Sequence, residues 1–254
     1  LMIEGWVFYA AAVPAVIFFG LSKGGFSGLS LISLPLLALV SPPIRAAAIM
    51  LPILIVQDVV SVWAYRRDFE RRIVVILVSG ATLGIAIATI FASRVSDAAV
   101  LLFVGAIGAG FVLYSWLPRA AHSDAAQPAR IMPGLFWGAC CGFTSFLANA
   151  GGPPFQVYAL PLRLKPQTYA GCQTMVFAVV NLIKLAAFFT LGQVSFENFA
   201  ISATLFPVAI VATLAGVWLV RRVQTDAFYK IVYGLTLVIG LKLIWNGASG
   251  LGWI

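Results

Sequence analysis

The chain reads as an all-α polytopic membrane protein made of two inverted repeats, each a re-entrant helical hairpin followed by three transmembrane helices. Three observations carry that reading. First, 62% of its 254 residues are hydrophobic and only 9% charged, too little polar surface to clothe a soluble domain. Second, apolar segments break at glycine-rich elbows placed alike in the two halves: Leu21-Ser22-Lys23-Gly24-Gly25-Phe26-Ser27-Gly28 and Leu147-Ala148-Asn149-Ala150-Gly151-Gly152-Pro153-Pro154. Interrupted helices in corresponding positions point to the substrate site of a secondary transporter. Third, the basic residues sort into alternate loops, as described below.

In chain order, apolar stretches run at roughly residues 5 to 21, 29 to 40, 44 to 65, 73 to 92, 98 to 117, 133 to 148, 155 to 162, 166 to 190, 198 to 220 and 228 to 246. Several reach the ~20 residues that cross a ~30 Å hydrocarbon core. Lipid leaves backbone groups no water to bond, so these segments must be helices, and the short alternating strands of a barrel are missing. Glu4 stands where a secretory leader would be basic, so the first stretch is expected to be retained. After the second elbow only Phe155 to Leu162 remains apolar, a rise of about 12 Å. That piece either completes the preceding segment as one broken span or turns back as a hairpin.

With hairpins in both halves and the amino terminus outside, the inner loops hold eleven basic residues: Arg66, Arg67, Arg71, Arg72, Arg119, Arg130, Arg163, Lys165, Arg221, Arg222 and Lys230. Only Arg45 and Arg94 lie outside. A full crossing at the second break would push one of these clusters outward, so the positive-inside rule favours the hairpins and an odd number of crossings per half. The alternative is a conventional eight-span chain with parallel repeats, which keeps the elbows in the same relative positions.

Duplication shows in ordered matches. Leu21, Gly25 and Leu34-Pro35 meet Leu147, Gly151 and Leu160-Pro161 at an offset of 126; Pro42, Ala46 and Gln57 meet Pro166, Ala170 and Asn181 at 124. Asp97, Gly105 and Trp116 meet Asp226, Gly234 and Trp245 at 129. The expected division is 1–117 for the first repeat, 118–132 for a cytoplasmic linker and 133–254 for the second repeat.

Irregular backbone at membrane depth is tolerated only where protein or a water-filled cavity satisfies it, so the elbows should line a cavity. A helix starting after an elbow turns free N–H groups and its positive dipole end into that cavity, which suits an anion. Lys23 fixes the sign: an ammonium at the tip of a broken helix is costly unless a partner or substrate neutralises it. The competing role is snorkelling, with the glycines serving only tight packing. Asp58 is the single acid inside an expected span, a pairing candidate for Lys23 or Lys184 and a candidate coupling residue. Gln57, Asn181 and Gln173 are amides in apolar segments, suited to a polar path or to hydrogen bonds between helices. The expected substrate contacts are Ser22, Lys23, Gly24, Gly25, Ser27, Gln57, Asn149, Gly151, Gly152, Gln173 and Asn181.

Other chemistries find little footing. Cys140, Cys141 and Cys172 lie in apolar helices without metal-ligand spacing and read as packing residues, and the one histidine, His122, sits in the polar linker, so no metal site is expected. No serine–histidine or paired-carboxylate constellation lies at membrane depth, so neither an enzyme nor a cofactor is expected. A net charge of +8 concentrated in the inner loops speaks for anionic lipid and against nucleic acid.

At these residues the chain resembles the sulfite exporter TauE/SafE family. The likeness rests on the Gly20 to Gly28 elbow with Leu34-Pro35 after it, the Asn149 to Pro154 elbow, and the Arg94-Val95 and Arg222-Val223 turns. It implies a secondary carrier of sulfite, sulfoacetate or related sulfonates, commonly outward across the bacterial inner membrane. The anion would sit between the two elbows, with alternating access. The second elbow has no lysine before its glycine pair, so the charge supplied is asymmetric. Expected partners are a small anionic substrate and the lipid bilayer, with a homodimer left open. An anion channel and a non-transporting scaffold subunit are the rival readings.

Overall fold

The structure is a computed structural model that describes residues 5–26, 29, 33, 36–37, 40, 43–91, 96–116, 127–148, 150–190 and 196–253. Nine helices follow one another among these residues: α1 (Trp6–Lys23), α2 (Pro43–Tyr65), α3 (Arg71–Phe91), α4 (Asp97–Ser115), α5 (Ile131–Ala148), α6 (Gly152–Ala159), α7 (Pro166–Thr190), α8 (Phe196–Arg222) and α9 (Thr225–Gly250). A single 3-10 turn, Leu160–Leu162, extends α6. No strand occurs among the described residues. Five helices, α1, α3, α4, α8 and α9, are long and apolar enough to cross a membrane. Their large outward side chains, such as Val75, Leu83, Ile90, Phe103, Val211 and Val238, are exposed in the isolated chain and need lipid to cover them. The helix bounds follow the apolar stretches closely, and the expected loop from Arg221 to Lys230 shrinks to Val223-Gln224, since Thr225 already opens α9.

The chain packs as two compact units: Leu1–Phe69 with Pro166–Val223, holding α1, α2, α7 and α8, and Glu70–Lys165 with Gln224–Ile254, holding α3 to α6 and α9. Each unit therefore draws helices from both sequence halves, with α1 packed on α8 in one and α5 packed on α3 in the other.

In the first unit, Phe8, Ala12, Val16 and Phe19 recur at the three- and four-residue spacing of one helix face. They bury against Ile49, Met50 and Ile53 of α2 and Ile201, Leu205 and Ala209 of α8. Farther along, small residues four apart let the backbones close in: Gly20 meets Ala212, and a Cβ on Gly24 would stand 2.4 Å from the Gly216 Cα. At the opposite end of α2, the Arg221 guanidinium donates to Ala64 O at 2.8 Å and pairs with Asp68 at 3.4 Å, tying α8 to the turn after α2.

In the second unit, Gly80 and Gly84 of α3 lie against the backbone of Leu135 and Ala139 on α5. The second elbow then reverses the chain. The Ala150 N–H bonds Thr144 O at 3.2 Å, the Tyr158 hydroxyl reaches Arg130 O at 3.1 Å, and the Gln127 N–H bonds Pro161 O at 3.1 Å. The end of this arm thus lies beside the start of α5, and α5 and α6 form a helical hairpin. Pro153 and Pro154 suit the opening turn of α6, where N–H groups have no helical partner. The matching second arm of the first half, residues 27–42, lies mostly outside the described residues.

Candidate substrate site

The first elbow is built by a helix end and three helix-borne caps. α1 stops in a Schellman arrangement, with the Phe26 N–H on Leu21 O at 3.3 Å and the Gly25 N–H on Ser22 O at 3.1 Å. Gly25 takes φ +131°, a conformation that strains any residue with a Cβ. Carbonyls left over at a helix end must find partners when buried. Here Gln173 Nε2 donates to Ser22 O at 3.1 Å, the Thr174 hydroxyl to Lys23 O at 3.4 Å and the Tyr65 hydroxyl to Gly24 O at 2.5 Å. α7 supplies two of these caps and α2 the third.

Within this frame Lys23 is buried, and its Nζ donates to Asp58 Oδ1 at 2.5 Å. The other carboxylate oxygen accepts from Asn181 Nδ2 at 2.7 Å. An ammonium in the last turn of α1 also meets the favourable end of the helix dipole. Next along α2, Gln57 Nε2 donates to Val16 O at 3.1 Å, while Gln57 Oε1 is buried without a hydrogen-bond partner among the described residues. Ser61 donates to Gln57 O at 2.7 Å and Asp58 O at 3.3 Å. A groove of 470 Å³ between α2 and α7 opens onto this cluster, lined by Asp58, Val59, Val62, Trp63, Asn181 and Leu182 among others, with Arg66 stacked on Trp63. Apart from Asp58, Asn181 and Arg66 its lining is apolar.

At the glycine-rich elbow a buried lysine is thus neutralised by one acid that an amide also holds. Across residues 12–243 the sequence matches the family model described as Sulfite exporter TauE/SafE. The chain belongs to that family. TauE/SafE proteins are membrane transporters of anions, not enzymes, and the apolar helices agree with a transmembrane protein. No curated protein and no solved structure matches the chain.

Of the residues singled out in this TauE/SafE sequence, Ser22, Lys23, Gly24, Gly25, Gln57, Asp58, Gln173 and Asn181 meet in the first unit. Lys23, one of the two partners expected for Asp58, is hydrogen-bonded to its carboxylate. Lys184 is buried on α7, three residues beyond Asn181. Gln173 and Gln57 spend amide hydrogens on α1 carbonyls, so they hold helices together at the elbow. Gly151 and Gly152 belong to the second unit, where Gly151 caps the start of α6 and Gly152 is its first residue. Ser27 and Asn149 lie outside the described residues. Sequence reasoning passed over Tyr65 and Thr174, two of the three carbonyl caps. A hydroxyl at the end of one apolar helix and another beside Gln173 carry no signal of which carbonyl they serve. Gly216 was equally silent, although its spacing of four from Ala212 mirrors that of Gly24 from Gly20.

Proposed function

We propose that the chain is a secondary carrier that moves small sulfur-containing anions, sulfite, sulfoacetate or related sulfonates, outward across the bacterial inner membrane. The observation that supports this reading is the Lys23–Asp58–Asn181 cluster at the first elbow. A buried ammonium needs a counter-charge. In the empty carrier Asp58 fills that place, and in the loaded carrier the substrate does. The glycines act one step removed: Gly24 lets α1 approach α8, and Gly25 turns the chain so that Lys23 ends the helix. Two inverted repeats giving alternating access remain our reading of the architecture, supported by the ordered sequence matches, the α5–α6 hairpin and the reciprocal packing of α1 on α8 and α5 on α3.

Flux into proteoliposomes tests the proposal. Wild-type protein should give saturable uptake of sulfite or sulfoacetate, and Lys23→Ala should lose it while keeping its helical content and monodisperse elution. Movement of cations or neutral solutes in place of these anions would overturn the substrate assignment. Current that rises without saturation would mark a channel.

A further inference from the structure

The ion pair at the elbow has a consequence for what accompanies the anion, and this step rests on the reading of Lys23 as the substrate contact. Asp58 stands between two environments. On one side its Oδ1 accepts from Lys23 at the tip of α1; on the other it lines the groove between α2 and α7 together with Asn181. An incoming anion and the Asp58 carboxylate compete for one ammonium. If the anion wins, Asp58 keeps the Asn181 amide but loses its cation, and a buried carboxylate without a cation favours its neutral form.

We propose that Asp58 takes up one proton each time an anion displaces it from Lys23, so that the chain carries anion and proton together in the same direction. A proton from the aqueous phase bonds to the carboxylate as the contact with Lys23 breaks, and the reverse occurs when the anion leaves. The polar and charged groups near Asp58 come from α1, α2 and α7. Lys23 approaches from α1; α7 brings Asn181 and carries Lys184 three residues on; α2 itself offers Ser61, Tyr65 and, at the groove, Arg66. On α8, Arg221 and Arg222 stand in the last turn, with Arg221 engaged at Asp68 and Ala64. Transport of a monovalent anion is then electroneutral, and net export requires an outward anion gradient larger than any inward proton gradient.

Proteoliposomes holding a trapped pH dye, with voltage clamped by potassium and valinomycin, test the coupling with sulfite and with sulfoacetate, which stays fully ionised between pH 6 and 8. Wild type should move one proton with each sulfoacetate, and one pH unit, alkaline inside, should accumulate the anion about tenfold. Asp58→Asn should accumulate none, whatever anion exchange it retains. Sulfoacetate uptake with no accompanying proton in wild type overturns the coupling and leaves the transport reading intact. Retention of proton-driven accumulation in Asp58→Asn does the same. Absence of uptake of either anion by wild type, or undiminished uptake by Lys23→Ala, overturns the transport reading and this proposal with it.

Discussion

Lys23 and Asp58 are each other's main electrostatic partner at the elbow, which sets how substitutions there should behave. Removing one member of a buried pair leaves an uncompensated charge and costs about 3–5 kcal/mol, whereas removing both can be far milder. Lys23→Ala and Asp58→Ala are each expected to lower the melting temperature in detergent markedly, and the double variant should recover much of the loss. Additive losses would show that the contact is energetically idle. Tyr65→Phe is a cleaner probe, since it deletes one hydroxyl and leaves Gly24 O without that cap. It should destabilise by about 1–3 kcal/mol, measured by thermal unfolding in detergent. The candidate residues were legible because charge and amides are rare in apolar helices. Their pairing was not, because sequence arguments offer Asp58 either Lys23 or Lys184, and only the crossing of α1 with α2 brings Lys23 to it.

Helix contacts in this chain depend on what is missing as much as on what is present. A Cβ at Gly24 would collide with the backbone of Gly216, which no side-chain rotation can relieve. Gly24→Ala should force α1 and α8 apart, costing about 1–3 kcal/mol in thermal unfolding, and Gly216→Ala should do the same from the facing helix. The α5–α6 hairpin can be tested covalently. In a background with Cys140, Cys141 and Cys172 replaced, Gln127→Cys and Pro161→Cys sit at hydrogen-bonded backbone positions and should form a disulfide under mild oxidation. A continuous α5–α6 span would keep them apart. Eight apolar residues are too short to cross and do not state a direction, so the sequence favoured the hairpin only indirectly, through the sorting of basic residues among the loops. Among the described residues the helix bounds, by contrast, were readable almost to the turn, since lipid demands uninterrupted apolar length and the arginines gather at helix ends and in the turns between them.

Across the molecule, the distribution of arginine predicts which ends face the cytoplasm. Arg66 packs on Trp63 and Arg222 on Trp218, placing a cation over an aromatic ring at the end of α2 and of α8 where both should meet the inner headgroups. Single cysteines at Asp68 and Gln224 should label from the inside only, and one at Ser96 from the outside only; the opposite pattern would invalidate the assigned topology. What composition could not disclose is the exchange of helices between halves, because a stripe of small residues announces close packing without naming its partner. The clasp on the end of α1 bears on how such a carrier can move. Three consecutive carbonyls, at Ser22, Lys23 and Gly24, are held by side chains from two other helices. Pulling that tip away from α2 and α7 would break all three at once, so in any access cycle the tip of α1 travels with those two helices.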